Sequence, residues 1–276
     1  MIRIGTSGFS YDDWKGPFYP ERTAKKDMLA YYARCFNTTE INSSYYAIPG
    51  TASFASMAKK TPDDFEFVVK AHKDMTHVEN PESTVFDIFL GSIQPLRDAG
   101  KFGCMLAQYP WSFRNTHESV VKLREFRDRI GDLPAVIEFR NADWVNEDTF
   151  GLLRELDFGF CSVDEPHLKG LMPPVTAATS GIGYVRFHGR NAKNWWKHEE
   201  SYQRYDYLYS EEELTEWVPR VTDLEGRTSK TYVFFNNHYQ GKSAQNARMF
   251  ASMLGMDLPL LETVEPGGQM SLGKEF

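Results

Sequence analysis

Eight short apolar runs punctuate this chain, and nearly every one ends in a residue that can do chemistry. In order they are Ile2–Thr6, Thr38–Asn42, Glu66–Ala71, Phe102–Gln108, Ala135–Arg140, Gly159–Asp164, Gly183–His188 and Thr231–Asn236. At or just past their C-terminal ends stand Thr6 and Ser7, Glu40 and Asn42, Lys70 and His72, Gln108, Glu138 and Arg140, Asp164, His188 and Arg190, and Asn236 and Asn237. Folding alone does not demand a polar group at each of those places. A parallel α/β barrel with its active site at the C-terminal ends of its strands does. The length of 276 residues suits one such TIM-like (β/α)8 barrel.

Period-two alternation sharpens the expectation. In Ala135–Arg140, Ala135, Ile137 and Phe139 share one face, and Val136, Glu138 and Arg140 the other. In Gly183–Arg190, Val185 and Phe187 oppose Arg186, His188 and Arg190. Ile41 opposes Glu40 and Asn42. Apolar faces meet the covering helices, so the polar faces point inward. The interior is therefore expected to hold Arg3, Glu40, Lys70, Glu138, Arg140, Asp164, Arg186 and His188. Buried charges are costly unless paired, and a polar interior of this extent points to a cavity with a function.

Helical periodicity fills most crossovers: Lys26–Phe36, Thr51–Lys60 with Thr51 as cap, Ser83–Ala99, Thr116–Ile130, Asn146–Leu156, Glu211–Leu224 and Lys242–Leu254. Between Asp164 and Gly183, Pro166, Gly170, Pro173 and Pro174 leave a short or missing sixth helix. Two long loops, Ser7–Lys25 and Gly189–Ser210, are rich in Trp and Tyr and are expected to fold over the mouth. Residues 1–256 read as one barrel domain, and residues 257–276 as an extended tail.

A net charge of −7 speaks against a broad basic face for nucleic acid, though not against a local groove. Cys35, Cys104 and Cys161 lack metal-site or disulfide spacing, so reduced thiols and a cytoplasmic location are expected. The first residues enter a strand with no visible signal peptide, and no run approaches membrane-spanning length.

Several ordered motifs carry a resemblance. They are Gly5-Thr6-Ser7-Gly8-Phe9-Ser10-Tyr11, Trp14-Lys15-Gly16-Pro17-Phe18-Tyr19-Pro20, Glu40-Ile41-Asn42-Ser43-Ser44-Tyr45-Tyr46, Lys70 followed by Thr76-His77, Val136-Ile137-Glu138-Phe139-Arg140, Tyr184-Val185-Arg186-Phe187-His188-Gly189-Arg190, Tyr205-Asp206-Tyr207 and Phe234-Phe235-Asn236-Asn237. Together they resemble the YecE-like family, the group called domain of unknown function 72, from about Ile2 to Leu254. The resemblance implies a TIM-like barrel and supplies no reaction.

Glu138 and Asp164, with Glu40 across the barrel, are candidate acid–base carboxylates; the competing reading is a salt-bridge lattice with Arg3, Lys70, Arg140 and Arg186. His188, flanked by Arg186 and Arg190, is expected to be neutral and to serve as base, ligand or hydrogen-bonded structural histidine. Lys70 completes the catalytic candidates. Arg140, Arg186 and Arg190 suit an anionic, phosphate-bearing substrate, with Asn42, Tyr45, His77, Gln108, Tyr205, Asn236 and Asn237 as further contacts. A divalent metal is not favoured, because the cations occupy the same space as the carboxylates. Gly5-Thr6-Ser7-Gly8 lacks the last glycine of a nucleophile elbow.

The final residues resemble the short peptide that binds the sliding clamp: Gln269, Leu272 and Phe276 match it, and Glu275 stands where an aromatic is usual. The leading expectation is an enzyme for an anionic substrate, such as a phosphodiesterase or a nucleic-acid-processing hydrolase. A glycoside hydrolase and a non-catalytic sensor of an anionic metabolite are the alternatives.

Overall fold

The computed structural model describes residues 1–259, 262–264 and 270–272. The eight runs become eight parallel strands: β1 (Ile2–Thr6), β2 (Thr38–Ile41), β3 (Glu66–Lys70), β4 (Phe102–Gln108), β5 (Ala135–Glu138), β6 (Phe158–Asp164), β7 (Ile182–Phe187) and β8 (Lys230–Phe235). They pair in the order β1-β8-β7-β6-β5-β4-β3-β2, which leaves β1 and β2 to close the ring. The result is a nearly closed TIM-like barrel with helices between most strands.

Closure at that seam has a specific chemical form. The bridge between β1 and β2 is Ser7 with Glu40, supported by Gly8 N–H donating to the Glu40 carbonyl at 2.7 Å. Below it, the buried Tyr32 hydroxyl takes the place of ladder bonds. It accepts from Thr6 N–H at 2.8 Å and donates to the Thr38 carbonyl at 3.0 Å. Gly5 makes room for this, because a Cβ there would stand 2.2 Å from the Thr38 carbonyl oxygen.

Prolines cut two of the expected helices. Ser83–Ala99 becomes Ser83–Ser92 and Gln94–Asp98, with Pro95 opening the second piece; Glu211–Leu224 becomes Glu211–Thr215 and Val218–Gly226 around Pro219. Proline lacks the N–H that would continue the ladder but fits a first turn. Thr51 is the first helical residue, with Gly50 before it making no side-chain cap. A short helix, Lys73–Thr76, was not foreseen. No helix lies between β6 and β7.

Both long loops are packed. Trp14, Phe18 and Tyr19 are buried, and Trp14 Nε1 donates to the His238 carbonyl at 2.6 Å. All three cysteines are buried. Among the described residues no helix is long and apolar enough to cross a membrane. Beyond the barrel, β9 (Glu262–Val264) pairs antiparallel with β10 (Met270–Leu272), so the main chain at Leu272 is extended. Gln269 and Phe276 lie outside the described residues.

Tyr32→Phe should leave the Thr6 N–H and Thr38 carbonyl without their partner at a buried seam. A loss of about 1–3 kcal/mol in denaturant unfolding is expected; an unchanged midpoint would show that the seam closes without the hydroxyl.

Candidate active site at the barrel mouth

Register decides which side chains enter the barrel. Residues opposite one another in a parallel sheet share a face. Gln108 pairs with Glu138, and Val163 with Arg186. The inner face therefore holds Glu40, Lys70, Gln108, Glu138, Arg186 and His188, as the alternation predicts.

At the floor, Glu66 pairs with Arg3 at 3.1 Å and Lys230 at 2.6 Å, and Tyr232 donates to it. Above lies the central lattice. Arg186 reaches from β7 to both sides of the ring: Nη2 donates to Glu40 Oε1 at 2.6 Å, and Nη1 to Glu138 Oε2 at 2.5 Å. The Tyr184 hydroxyl donates to Glu40 Oε2 at 2.6 Å. Arg186 is 1% exposed and both carboxylates 0%. At this depth only paired charges are tolerable, and the guanidinium fork supplies both pairs at once.

Glu138 also meets the mouth. Arg140 Nε stands 2.7 Å from its Oε1 as an ion pair without hydrogen-bond alignment, and His188 Nε2 is 3.1 Å from the same oxygen. Burial pushes Glu138 up, but Arg140, Arg186 and the His188 contact overcome it and hold the carboxyl well below the usual range. His188 is driven down to about 3, first by burial and then by Arg140. Its Nδ1 faces Asn236 Nδ2 at 3.1 Å. The network thus assigns a neutral ring that donates from Nε2 to Glu138 and accepts at Nδ1 from Asn236. With both nitrogens engaged, His188 orients Glu138 rather than acting as a free base.

The rim carries the groups that can exchange protons. Lys70 Nζ donates to Gln108 Oε1 at 2.9 Å and lies 4.6 Å from the Tyr45 ring centre. Among the described residues it has no carboxylate at ion-pair distance. Burial and then the Arg186 charge bring Lys70 down to about 7. Glu165, one residue beyond β6, is buried. It accepts from Met172 N–H at 2.9 Å and lies 3.4 Å from Arg140 Nη1. Burial raises it to about 7 against the opposing Arg140 charge. His77 is lowered to about 4 by burial and by Lys70 and Arg140. Its ring and that of Tyr45 meet edge-on at 5.3 Å. Trp195 and Tyr205 roof the mouth, with ring centres 6.5 and 6.2 Å from His188. Asn42 Oδ1 is buried without a hydrogen-bond partner. Asn42 borders a cavity of about 900 Å³ between the loops after β1 and β2 and the helices Lys25–Tyr32 and Thr51–Lys59, and His77 borders another of about 400 Å³.

Three expected site residues point elsewhere. Asp164 pairs in register with Phe187, on the outer face. Its carboxylate is saturated by Arg190 at 2.7 Å, the Tyr209 hydroxyl at 2.7 Å and Trp217 Nε1 at 2.7 Å. Arg190 leaves the inner face because β7 ends at Phe187 and Gly189 turns the chain at φ 90°. It serves Asp164 and Glu216 instead. Asn237 donates to the Tyr207 carbonyl and to Asn246 Oδ1, fixing a loop. Glu165 is the residue the alternation should have found: Phe158 and Phe160 meet Phe126 and Phe150 of the helical shell, and Asp164 shares their parity. Tyr184 was also overlooked. Among the described residues no three His, Cys, Asp or Glu side chains are grouped as a metal would require.

The comparisons with known proteins agree with this architecture. Residues 3–269 match the family model described as protein of unknown function DUF72. The chain belongs to the DUF72 family. It is 32% identical over 273 residues to UPF0759 protein YunF of Bacillus subtilis, covering 93% of this chain and 96% of that one. A DUF72 family protein from Thermotoga maritima shares 41% identity, with a TM-score of 0.86 over 92% of this chain and 99% of that chain. Another from Enterococcus faecalis shares 28%, with a TM-score of 0.83 over 96% and 99%.

Two outcomes test the electrostatics. Arg186→Met leaves buried Glu40 without its cation and Glu138 with Arg140 alone, and should cost about 3–5 kcal/mol. A carboxyl held low by the fold adds stability at neutral pH that is lost as pH falls through its folded value. The gap between wild type and variant should therefore be widest near neutrality and shrink in acid; a small, pH-independent gap would contradict the lattice.

For Glu165 the sign is opposite. With a value raised from 4.5 to about 7, the folded state keeps a proton that the unfolded state has released, so stability falls as pH rises across that window. Glu165→Gln removes this dependence and should gain on wild type by on the order of 3 kcal/mol between pH 4.5 and 8 in unfolding measurements. Parallel curves would place the Glu165 carboxyl in its ordinary range.

Proposed function

We propose that the barrel mouth is the acid–base active site of an enzyme that takes a small anionic substrate. The observation that carries this reading is the pair of proton-labile groups around Arg140. Glu165 and Lys70, an acid and a base, are drawn to about 7 from opposite directions. Groups poised there can give and take protons near neutral pH with little driving force lost. The lattice beneath sets two carboxylates, Glu40 and Glu138, against two guanidiniums, Arg140 and Arg186. A protonated Lys70 then adds a positive charge that an incoming anion can answer.

In this reading Arg140 holds the anion, Lys70 and Glu165 move protons, and Glu138 and His188 fix Arg140 in place. Tyr45, Tyr205, Gln108 and Asn236 line the approach. The roof of Trp195 and Tyr205 suits a small molecule better than a polymer. A two-carboxylate glycosidase is less well supported, because Glu138 is committed to Arg186 and Asp164 to the outer face. Phosphate esters are the first class to test, as the Arg and Lys set suits them.

Calorimetry with phosphate, a phosphate monoester and a short carboxylate near pH 7.5 should detect binding with proton uptake, since the anion favours charged Lys70. Arg140→Ala should weaken it about tenfold or more. Any bound compound that wild type converts should be turned over about a hundredfold more slowly by Glu165→Gln at similar affinity. Absence of anion binding would end the proposal. Binding with no compound converted would favour a sensor.

A further inference from the structure

We propose that Lys70 is a covalent nucleophile, forming an imine with a small aldehyde or ketone that carries an anionic group. The inference rests on the acid–base reading of the mouth and narrows its substrate to anionic carbonyl compounds.

The geometry distinguishes the half-buried Lys70 from Lys101, which is buried. Lys101 Nζ is ringed by three acceptors, the Ala58 carbonyl at 2.7 Å, the Thr61 carbonyl at 2.7 Å and the Thr61 hydroxyl at 3.3 Å. Three acceptors answer all three N–H groups of its amine end, leaving none turned to an open site. Among the described residues Lys70 has one hydrogen-bond acceptor, Gln108 Oε1. That amide is itself held by Gln108 Nε2 donating to the Tyr109 carbonyl at 3.1 Å, so its oxygen stays turned to the amine. An ammonium there meets one side-chain acceptor and the Tyr45 ring face at 4.6 Å, in a half-buried place beside the Arg140 and Arg186 charges. A neutral amine at the same place keeps a lone pair facing the mouth. An amine kept neutral by burial and nearby cations is the activated form for attack on a carbonyl. Its position at the C-terminal end of a barrel strand is where reacting groups of this fold stand.

The step balances without any further reactant. The Lys70 nitrogen lone pair adds to the carbonyl carbon, and the C=O π pair moves to oxygen. A proton shifts from nitrogen to that oxygen, giving a carbinolamine. The nitrogen pair then forms C=N while the C–O bond breaks toward oxygen. Glu165 gives its proton to the departing hydroxyl, which leaves as water. Glu165 becomes a carboxylate and the iminium carries the positive charge. Arg140 holds the substrate's anionic group throughout, and the roof of Trp195 and Tyr205 limits hydrolysis of the imine.

The test is reductive trapping. The full-length protein is incubated near pH 7.5 with pyruvate, glyoxylate or glyceraldehyde 3-phosphate and sodium cyanoborohydride, then analysed by intact mass and peptide mapping. One reduced adduct on Lys70 is expected, forming at least about tenfold faster than at any surface lysine. Inorganic phosphate should protect wild type by competing for Arg140. Glu165→Gln should slow trapping about tenfold or more while remaining cooperatively folded. Adducts spread over exposed lysines, or a total unchanged in Lys70→Met, would overturn the proposal. Because phosphate protection is read on wild type, a Lys70→Met protein that fails to fold does not spare the idea. Phosphate binding without an adduct would sink the imine and leave the anion site standing; no phosphate binding would sink both.

Discussion

The Arg186 guanidinium spans the barrel, and the chemistry of the mouth depends on it. From β7 it joins Glu40 on β2 to Glu138 on β5, and Tyr184 closes the far side of Glu40. A lysine at that place would offer a single nitrogen, where the planar fork sets a different terminal nitrogen against each carboxylate. Such a lattice is a poor stability device. Burying these charges is expensive, and an apolar filling of similar volume would serve folding as well. What it provides is a fixed field. Arg140 and Arg186 together keep Glu138 ionised, and an ionised Glu138 holds Arg140 and the His188 N–H. Arg140 in turn sets the surroundings of Glu165 and acts on Lys70.

Adjacent acids take opposite tasks because a strand alternates. Asp164 turns outward, where Trp217, Tyr209 and Arg190 saturate it. Tyr209 also accepts the Gly189 N–H at 2.8 Å, so this outer network anchors both ends of the segment that roofs the mouth. Glu165, one residue on, turns inward to Arg140. The outer acid thereby fixes the loop over the mouth, while the inner acid is buried against Arg140 and the Met172 main chain. That burial is the first cause of its raised proton affinity.

Most of the barrel was legible because strand residues facing two environments must alternate. The spacing of Glu40, Glu138, Arg140, Arg186 and His188 along their runs placed them inward without any coordinates. The reading failed where alternation was not carried through. Asp164 was chosen as the polar end of its run, although Phe158 and Phe160 share its parity and belong to the helical shell. Asn237 shares parity with Phe235 in the same way. Arg190 failed for another reason: Gly189 turns the chain, and period two does not survive a turn. The neutrality of His188 was expected from its flanking arginines. Burial is the larger cause, followed by Arg140 from beyond another strand, with the flanking Arg186 acting in the same direction. Long-range neighbours of that kind are not written in local spacing, and neither is the Tyr32 hydroxyl that seals β1 to β2.

A neutral, rigid lattice beneath two groups that titrate near 7 has a consequence for how the mouth meets a ligand. Were Lys70 paired to a carboxylate, an anion would have to displace that partner, and binding would exchange one ion pair for another. Here the two guanidiniums are already answered by Glu40 and Glu138. The charge an anion calls for must come from a proton taken up by Lys70. An anion that also brings a carbonyl reverses the demand, since the amine must be neutral to attack. Both states of Lys70 are accessible near neutral pH only because burial and the arginines bring its proton affinity there. On the proposed reading, the mouth admits an anion and frees the amine for reaction with a change of one proton, without rearranging the charges below it.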